Sequence, residues 1–365
     1  MTTDARVLVV DDSTFVRKAL RRVLEARPGL VVVGEAGDGI EAVRMCAVLA
    51  PDVVTLDIQM PGMDGLSALR EMKKRWPSVP VVVLASAASN GPEIAMEALS
   101  LGAFEFIDKG RFRSMDFQLM GAEVVRKVRA SLGATPVPHA SIEPSPIPPP
   151  RPEVLRVSEG FDPFPARIEA VCIGASTGGP AALQVILDRL PARFPFPIAI
   201  VQHMPVGFTS AFAERLNQTS RLEVREARGG EEFQPGWAFI APAGRHLVFE
   251  RGPLGPRLAL VSEPSGGSHV PSVDVLFSSA AQVFGAGTVG VVLTGMGSDG
   301  REGAREIAAR GGRLLAESES SCAVYGMPRM IVEAGIASAV WGVEEIASGL
   351  ARLAEDAPAR QGAPR

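Results

Sequence analysis

Short apolar runs rich in β-branched residues alternate with amphipathic stretches over residues 6–109, and the alternation resumes at Ile168. In the first half the runs are Val7–Val10, Val31–Gly34, Val53–Leu56, Val81–Leu84 and Phe104–Ile107. Helical patterns such as Phe15–Ala26 and Gly65–Arg75 separate them, and a last helix is predicted over Phe117–Leu132. Strands apolar along their whole length are buried on both faces, which predicts a parallel sheet covered by helices: a doubly wound, five-stranded α/β unit. In the second half strands are predicted at Ile168–Ile173, Ile198–Val201 and Val289–Leu293. Helices are predicted at Ala181–Leu190, Phe208–Gln218, Val273–Phe284 and from Arg301, with a strand-rich stretch over Leu222–Val261. This is a second doubly wound, mostly parallel α/β unit. Between the two, residues 134–165 hold ten prolines and no hydrophobic period, so neither a helix nor a strand can run through them. The predicted organisation is 1–133, a linker at 134–165, a second domain at 166–353, and a flexible tail at 354–365.

The length of 365 residues suits two domains, and 46% hydrophobic residues supply two cores. A net charge of −4 argues against a broad nucleic-acid footprint, which needs a basic face. Cys46, Cys172 and Cys322 are odd in number and far apart, as buried free thiols in a reducing compartment would be. No signal-peptide pattern stands at the N-terminus and no apolar run approaches bilayer length. The expectation is a cytoplasmic monomer, without membrane insertion and without a nucleic-acid partner.

Asp11 and Asp12 close the first predicted strand, Asp57 the third, and Lys109 the fifth. Ligands of open parallel sheets collect beyond the carboxyl ends of the strands, so these groups are expected to converge. Crowded carboxylates repel one another, and a hard divalent cation such as Mg²⁺ relieves that repulsion. Asp57 is then a candidate phosphoryl acceptor. Taken singly, each of these aspartates reads more readily as a turn or helix-cap residue; their joint placement at strand ends weakens that reading.

In the second half, Gly174-Ala175-Ser176-Thr177-Gly178 fits the G-x-S-x-G pattern that presents a serine on a sharp strand-to-helix turn. His203 follows a second strand and Asp299 a third, so nucleophile, base and orienting carboxylate are expected on one edge of one sheet. Thr177, Gly178 and Met296 are candidate oxyanion donors. The chain order Ser, His, Asp differs from that of α/β-hydrolases and disfavours that fold. A dinucleotide site is disfavoured too, because Gly-x-x-x-Gly-Gly is not G-x-G-x-x-G. Among the other histidines, His139 falls in the linker, and His246 begins a strand and so sits at the wrong strand polarity. His269 follows a Gly/Ser-rich loop and ranks second as base, or as a residue lining the cleft.

The pair Asp11-Asp12, the run Leu56-Asp57-Ile58-Gln59-Met60-Pro61-Gly62-Met63-Asp64-Gly65 and Lys109 make residues 6–130 similar to response-regulator receiver domains. The resemblance implies phosphorylation of Asp57 by a histidine kinase. It also implies Mg²⁺ held by Asp11, Asp12, Asp57 and the Gln59 backbone, with Lys109, Ser86 and Phe106 sensing the phosphoryl group. Two residues depart from the pattern: Ala85 stands where Ser or Thr is usual, with Ser86 next, and Gly110 stands where proline often follows the lysine.

Residues 168–350 resemble the catalytic domain of bacterial chemotaxis protein-glutamate methylesterases. The likeness is carried by Gly174–Pro180, Gln202-His203-Met204-Pro205, Ile240–Leu247, Pro271–Phe277, Leu293–Gly300 and Glu317–Pro328. It implies hydrolysis of glutamate methyl esters on chemoreceptor helices, deamidation of receptor glutamines, a Ser176-His203-Asp299 triad, no cofactor for hydrolysis, and activation by phosphorylation through relief of inhibition by the receiver. Val270 departs from an arginine common before Pro-Ser-Val-Asp. Three other readings compete: a DNA-binding regulator, an esterase of small soluble substrates, and a dinucleotide enzyme. The acidic balance and the absence of a helix-turn-helix pattern after the linker oppose the first.

Overall fold

The computed structural model describes residues 4–86, 91–109, 117–133, 163–253, 255–262 and 269–360. Gly110, His139 and most of the predicted linker lie outside the described residues. The chain divides into two compact units, the first built on residues 1–134.

In the first unit the order is β1 (Ala5–Val10), α1 (Thr14–Glu25), β2 (Leu30–Ala36), α2 (Gly39–Leu49), β3 (Val53–Asp57), α3 (Gly65–Arg75), β4 (Val81–Ala85), α4 (Gly91–Ser100), β5 (Glu105–Asp108) and α5 (Phe117–Gly133). The sheet order is β2-β1-β3-β4-β5, all parallel. Val7, Val9, Val82, Leu84 and Ile107 bury one sheet face against Leu20, Leu24, Val124 and Val128 of α1 and α5. Each such side chain contributes about 1.5–3 kcal/mol on leaving water. Ser13, Asp38 and Asp64 cap α1, α2 and α3 with side-chain oxygens, so local chemistry sets where these helices begin.

The second unit continues with β6 (Ala170–Ala175), α6 (Gly179–Arg189), β7 (Ile198–Gln202), α7 (Thr209–Thr219), β8 (Glu223–Glu226), β9 (Trp237–Ile240), β10 (His246–Gly252), β11 (Gly255–Val261), α8 (Val273–Phe284), β12 (Thr288–Val292), α9 (Arg301–Ala309), β13 (Arg313–Glu317), α10 (Met327–Glu333), β14 (Ala339–Trp341) and α11 (Val343–Arg360). Seven parallel strands run in the order β14-β13-β12-β6-β7-β9-β8. β10 and β11 form a separate antiparallel pair. The order reverses direction at β6, which is flanked by β7 and β12. That reversal opens a crevice at the carboxyl ends of these three strands.

α11 runs to Arg360, past the residue 354 at which the flexible tail was expected to begin; buried Ile346, Ala347, Leu350 and Leu353 give the helix an apolar face to pack. One line of reasoning is corrected. His246 was set aside on strand polarity. That reasoning holds only for strands of the main sheet, and β10 is not one of them.

Candidate active site and phosphoacceptor site

In the first unit Asp11 and Asp57 are almost fully buried, and Asp12 is exposed. One ligand oxygen from each of the three carboxylates falls within 4.8 Å of the others. Lys109 Nζ lies 2.8 Å from Asp11 Oδ2 and also pairs with Asp57 Oδ2. Burial, then the neighbouring Asp11 charge, pushes the Asp57 carboxyl up to about 6 despite Lys109. Burial likewise raises Asp11. Two raised carboxyls beside a third are what an oxygen-liganded divalent cation relieves, so these residues fit Mg²⁺. The Gln59 backbone, expected to face the metal, offers its N–H to Asp57 Oδ1 at 3.2 Å. Beside Asp57 a small cavity is lined by Leu84, Ala85, Ser86, Gly91, Ile94 and Lys109. Ala85 is the last residue of β4, and Ser86, one step beyond, also faces the cavity. Phe106 is buried on β5, and its carbonyl accepts a bond from Lys127 on α5.

In the second unit the register pairs Ala175 of β6 with Gln202 of β7, so Ser176 and His203 are the first residues past two adjacent strands. Neighbouring strands lie about 4.8 Å apart. The His203 N–H donates to the Ala175 carbonyl at 3.0 Å, and Gln202 Nε2 donates to the carbonyls of Ser176 (2.8 Å) and His203 (3.1 Å). On the other flank the Ser176 N–H donates to the Thr294 carbonyl, just past β12. Ser176 is thus clamped between the two turns that carry its expected partners.

The turn after Ser176 is tight because Gly179 N–H donates back to the Ser176 carbonyl at 2.8 Å. Gly178 caps α6 at φ +80°, a left-handed conformation that costs glycine little. A Cβ at Gly179 would collide with Gln202 Oε1. Thr177 is buried, and its carbonyl accepts from Thr294 Oγ1 at 2.9 Å. Among the described residues no backbone bond takes the N–H of Thr177, Gly178 or Met296.

Asp299 does not cap its own helix; Gly300 does. Its carboxylate instead receives four donors. Oδ1 accepts from Ser272 Oγ (2.8 Å) and Asp274 N (3.0 Å). Oδ2 accepts from Val273 N (2.8 Å) and pairs with His203 Nε2 (2.8 Å). Burial alone would raise this carboxyl, but His203 and the N–H groups of Val273 and Asp274 outweigh it and hold Asp299 well below the usual carboxylate range. Burial, then the Asp299 charge, pushes the neighbouring Asp274 up to about 6, although Gly303 N–H donates to it. An ionised Asp299 accepts only, so His203 Nε2 carries the proton and Nδ1 the lone pair. His203 Nδ1 is buried and has no hydrogen-bond partner among the described residues.

His269 stacks on His203 with ring centroids 4.3 Å apart and planes 6° from parallel. Ligand atoms of His203, His269 and Asp299 lie within 4.8 Å of one another. A metal is nevertheless a poor fit, because the Asp299 oxygens are taken by four donors and lone pairs in parallel ring planes do not converge on one ion.

Ser272, Gln202 and Glu317 were not singled out as site residues from sequence, and His246 was considered only as a base and set aside. Ser272 caps α8 as well as serving Asp299, and its N–H donates to buried His246 Nδ1 at 3.1 Å. Buried Glu317 accepts from Thr294 N–H and Ser321 Oγ, tying two loops beneath the Ser176 turn. The Ser-Val-Asp run before an apolar helical pattern was a readable N-cap signal for Ser272. Nothing local marked the others.

Residues 7–115 match the response regulator receiver domain family, and residues 171–350 match the CheB methylesterase family. Protein-glutamate methylesterase/protein-glutamine glutaminase 5 of Myxococcus xanthus is 47% identical over 335 residues, 91% of this chain and 93% of that protein. The protein-glutamate methylesterase/protein-glutamine glutaminase of Symbiobacterium thermophilum is 44% identical over 355 residues, 95% of this chain and 96% of its own. The crystal structure of the Thermotoga maritima CheB methylesterase catalytic domain superposes with a TM-score of 0.50 at 41% identity, covering 51% of this chain and 98% of that domain. Two parallel α/β units, a carboxylate cluster in one and a His–Asp pair beside a turn serine in the other, agree with relatives that span nearly the whole chain: it belongs to the protein-glutamate methylesterase/protein-glutamine glutaminase family.

Proposed function

We propose that this chain hydrolyses glutamate γ-methyl esters on the cytoplasmic helices of chemoreceptors, releasing methanol. The same machinery deamidates receptor glutamines, releasing ammonia, and phosphorylation at Asp57 by a histidine kinase raises its activity. In this reading residues 1–133 are the receiver, 134–165 the linker, and 166–353 the catalytic domain. The observation that carries it is the His203 imidazole: one nitrogen is bound to an ionised Asp299 and the other is buried without a partner, one strand away from Ser176.

Ser176 Oγ attacks the ester carbonyl carbon while its proton passes to His203 Nδ1. Asp299 stabilises the imidazolium that forms. The N–H groups of Thr177, Gly178 and Met296 receive the oxyanion, each such donor being worth about 10²–10³ in rate. The tetrahedral adduct collapses, the carbon–methoxy bond breaks, and the leaving oxygen takes the proton from Nδ1, giving methanol. Water then attacks the acyl-serine, gives a proton to Nδ1, and leaves a free glutamate as Ser176 regains its hydrogen. For a glutamine side chain the same sequence expels ammonia.

In the receiver, Asp11, Asp12 and Asp57 would hold Mg²⁺, which when bound offsets charge on a phosphoryl group. Asp57 is the acceptor carboxylate, and Lys109 pairs with its Oδ2. In this reading Ser86, which lines the cavity beside Asp57, and Phe106 on β5 sense the phosphoryl group. The test is methanol release from a methylated receptor fragment. Wild type should release it and Ser176→Ala should not; release by Ser176→Ala at the wild-type rate would overturn the reading.

A further inference from the structure

We infer that His269 is a positioning residue for the base, acting through the face of its ring rather than through a nitrogen. The inference rests on the assignment of His203 as base in the proposed function.

A single hydrogen bond to Asp299 fixes one edge of the His203 imidazole but leaves the ring free to swing about that contact. Proton transfer from Ser176 needs Nδ1 held in one direction, since misplacement by an ångström is costly. His203 N–H and Gln202 Nε2 fix the backbone at the base, and neither constrains the plane of the imidazole. The face of His269, 6° from parallel and 4.3 Å away, does constrain it.

His269 begins a short segment that also grips the acid. Ser272 Oγ, Val273 N–H and Asp274 N–H all bind Asp299. The segment is anchored by the bond from Ser272 N–H to His246 Nδ1 and by the bond from Gly244 N–H to the Val270 carbonyl. Residues 269–274 therefore orient both the base and its carboxylate. Within this segment it is the face of the His269 ring that meets the base.

The test compares His269→Ala, His269→Phe and Ser176→Ala in the full chain, by methanol release from a methylated receptor fragment, with thermal melting to confirm folding. Aromatic pairing is worth about 0.5–1.5 kcal/mol, a factor of about 2–12. His269→Ala should lose kcat by about that factor with KM within about twofold of wild type, and His269→Phe should recover most of the loss. Unchanged kcat in His269→Ala would overturn the inference, as would equal loss in the alanine and phenylalanine variants, because a ring nitrogen would then be at work. A rise in KM alone would also overturn it, by placing His269 on the substrate. If Ser176→Ala remained active, the proposed function itself would fail; if that variant is dead and His269→Ala is not, only the present inference fails.

Discussion

Asp299 is defined by what it receives. Three donors from residues 272–274 and the His203 imidazole hold it ionised, and an ionised carboxylate makes the Nδ1 lone pair of His203 available. Asp299→Asn would present an amide to Nε2 and permit the wrong tautomer. A fall in kcat of about 10³–10⁴ is expected, with KM little changed, measured by steady-state methanol release. Ser272→Ala removes one donor and the cap of α8 together. It should cost about 1 kcal/mol in stability by chemical denaturation and lower kcat measurably. The Ser176 turn and the positions of His203 and Asp299 past their strands were legible from residue order alone. The donors to Asp299 were not, because they come from a segment some 25 residues away whose approach is decided by tertiary packing. The stack of His269 on His203 was equally invisible, since no local pattern encodes a contact between rings on separate loops.

At the scale of elements, the catalytic geometry follows from strand order. β7, β6 and β12 are neighbours, so residues just beyond their ends are brought together whatever loops follow. Apolar runs foretold these strands to within about two residues, and both Gly65–Arg75 and Val273–Phe284 form helices with the expected bounds. The pairing of β10 with β11 outside the main sheet was not legible, because a short apolar run does not reveal its partner. The start of α6 is a tightly constrained backbone element. Gly179→Ala should abolish activity while leaving most secondary structure intact by circular dichroism. The added Cβ meets Gln202 Oε1, and Gln202 ties the Ser176 and His203 turns.

For the molecule as a whole, the two units carry different electrostatic loads. In the receiver, burial raises Asp57 to about 6 from an ordinary 3.8, so the folded state binds the proton more tightly than the unfolded one. The resulting stability is fully present below about pH 4 and is lost as pH rises through about 6. A shift of this size corresponds to at most about 3 kcal/mol, reduced in a variant by the loss of the Lys109 pair. Asp57→Asn should therefore melt higher than wild type at pH 7.5 and lose that advantage near pH 4, in calorimetry without divalent cations. Mg²⁺ at about ten times its Kd should raise the wild-type receiver by about 1.4 kcal/mol and the Asp57→Asn protein by less.

The central claim is that Ser176 and His203 work as one unit, joined through Nδ1. Its most direct test is the methanol-release rate of Ser176→Ala, His203→Ala and the double variant, each confirmed folded. Residues that act as a unit are strongly non-additive, so the double variant should be no slower than either single one, and all three should be reduced by several orders of magnitude. A near-wild-type rate in His203→Ala, or losses that multiply in the double variant, would contradict the account.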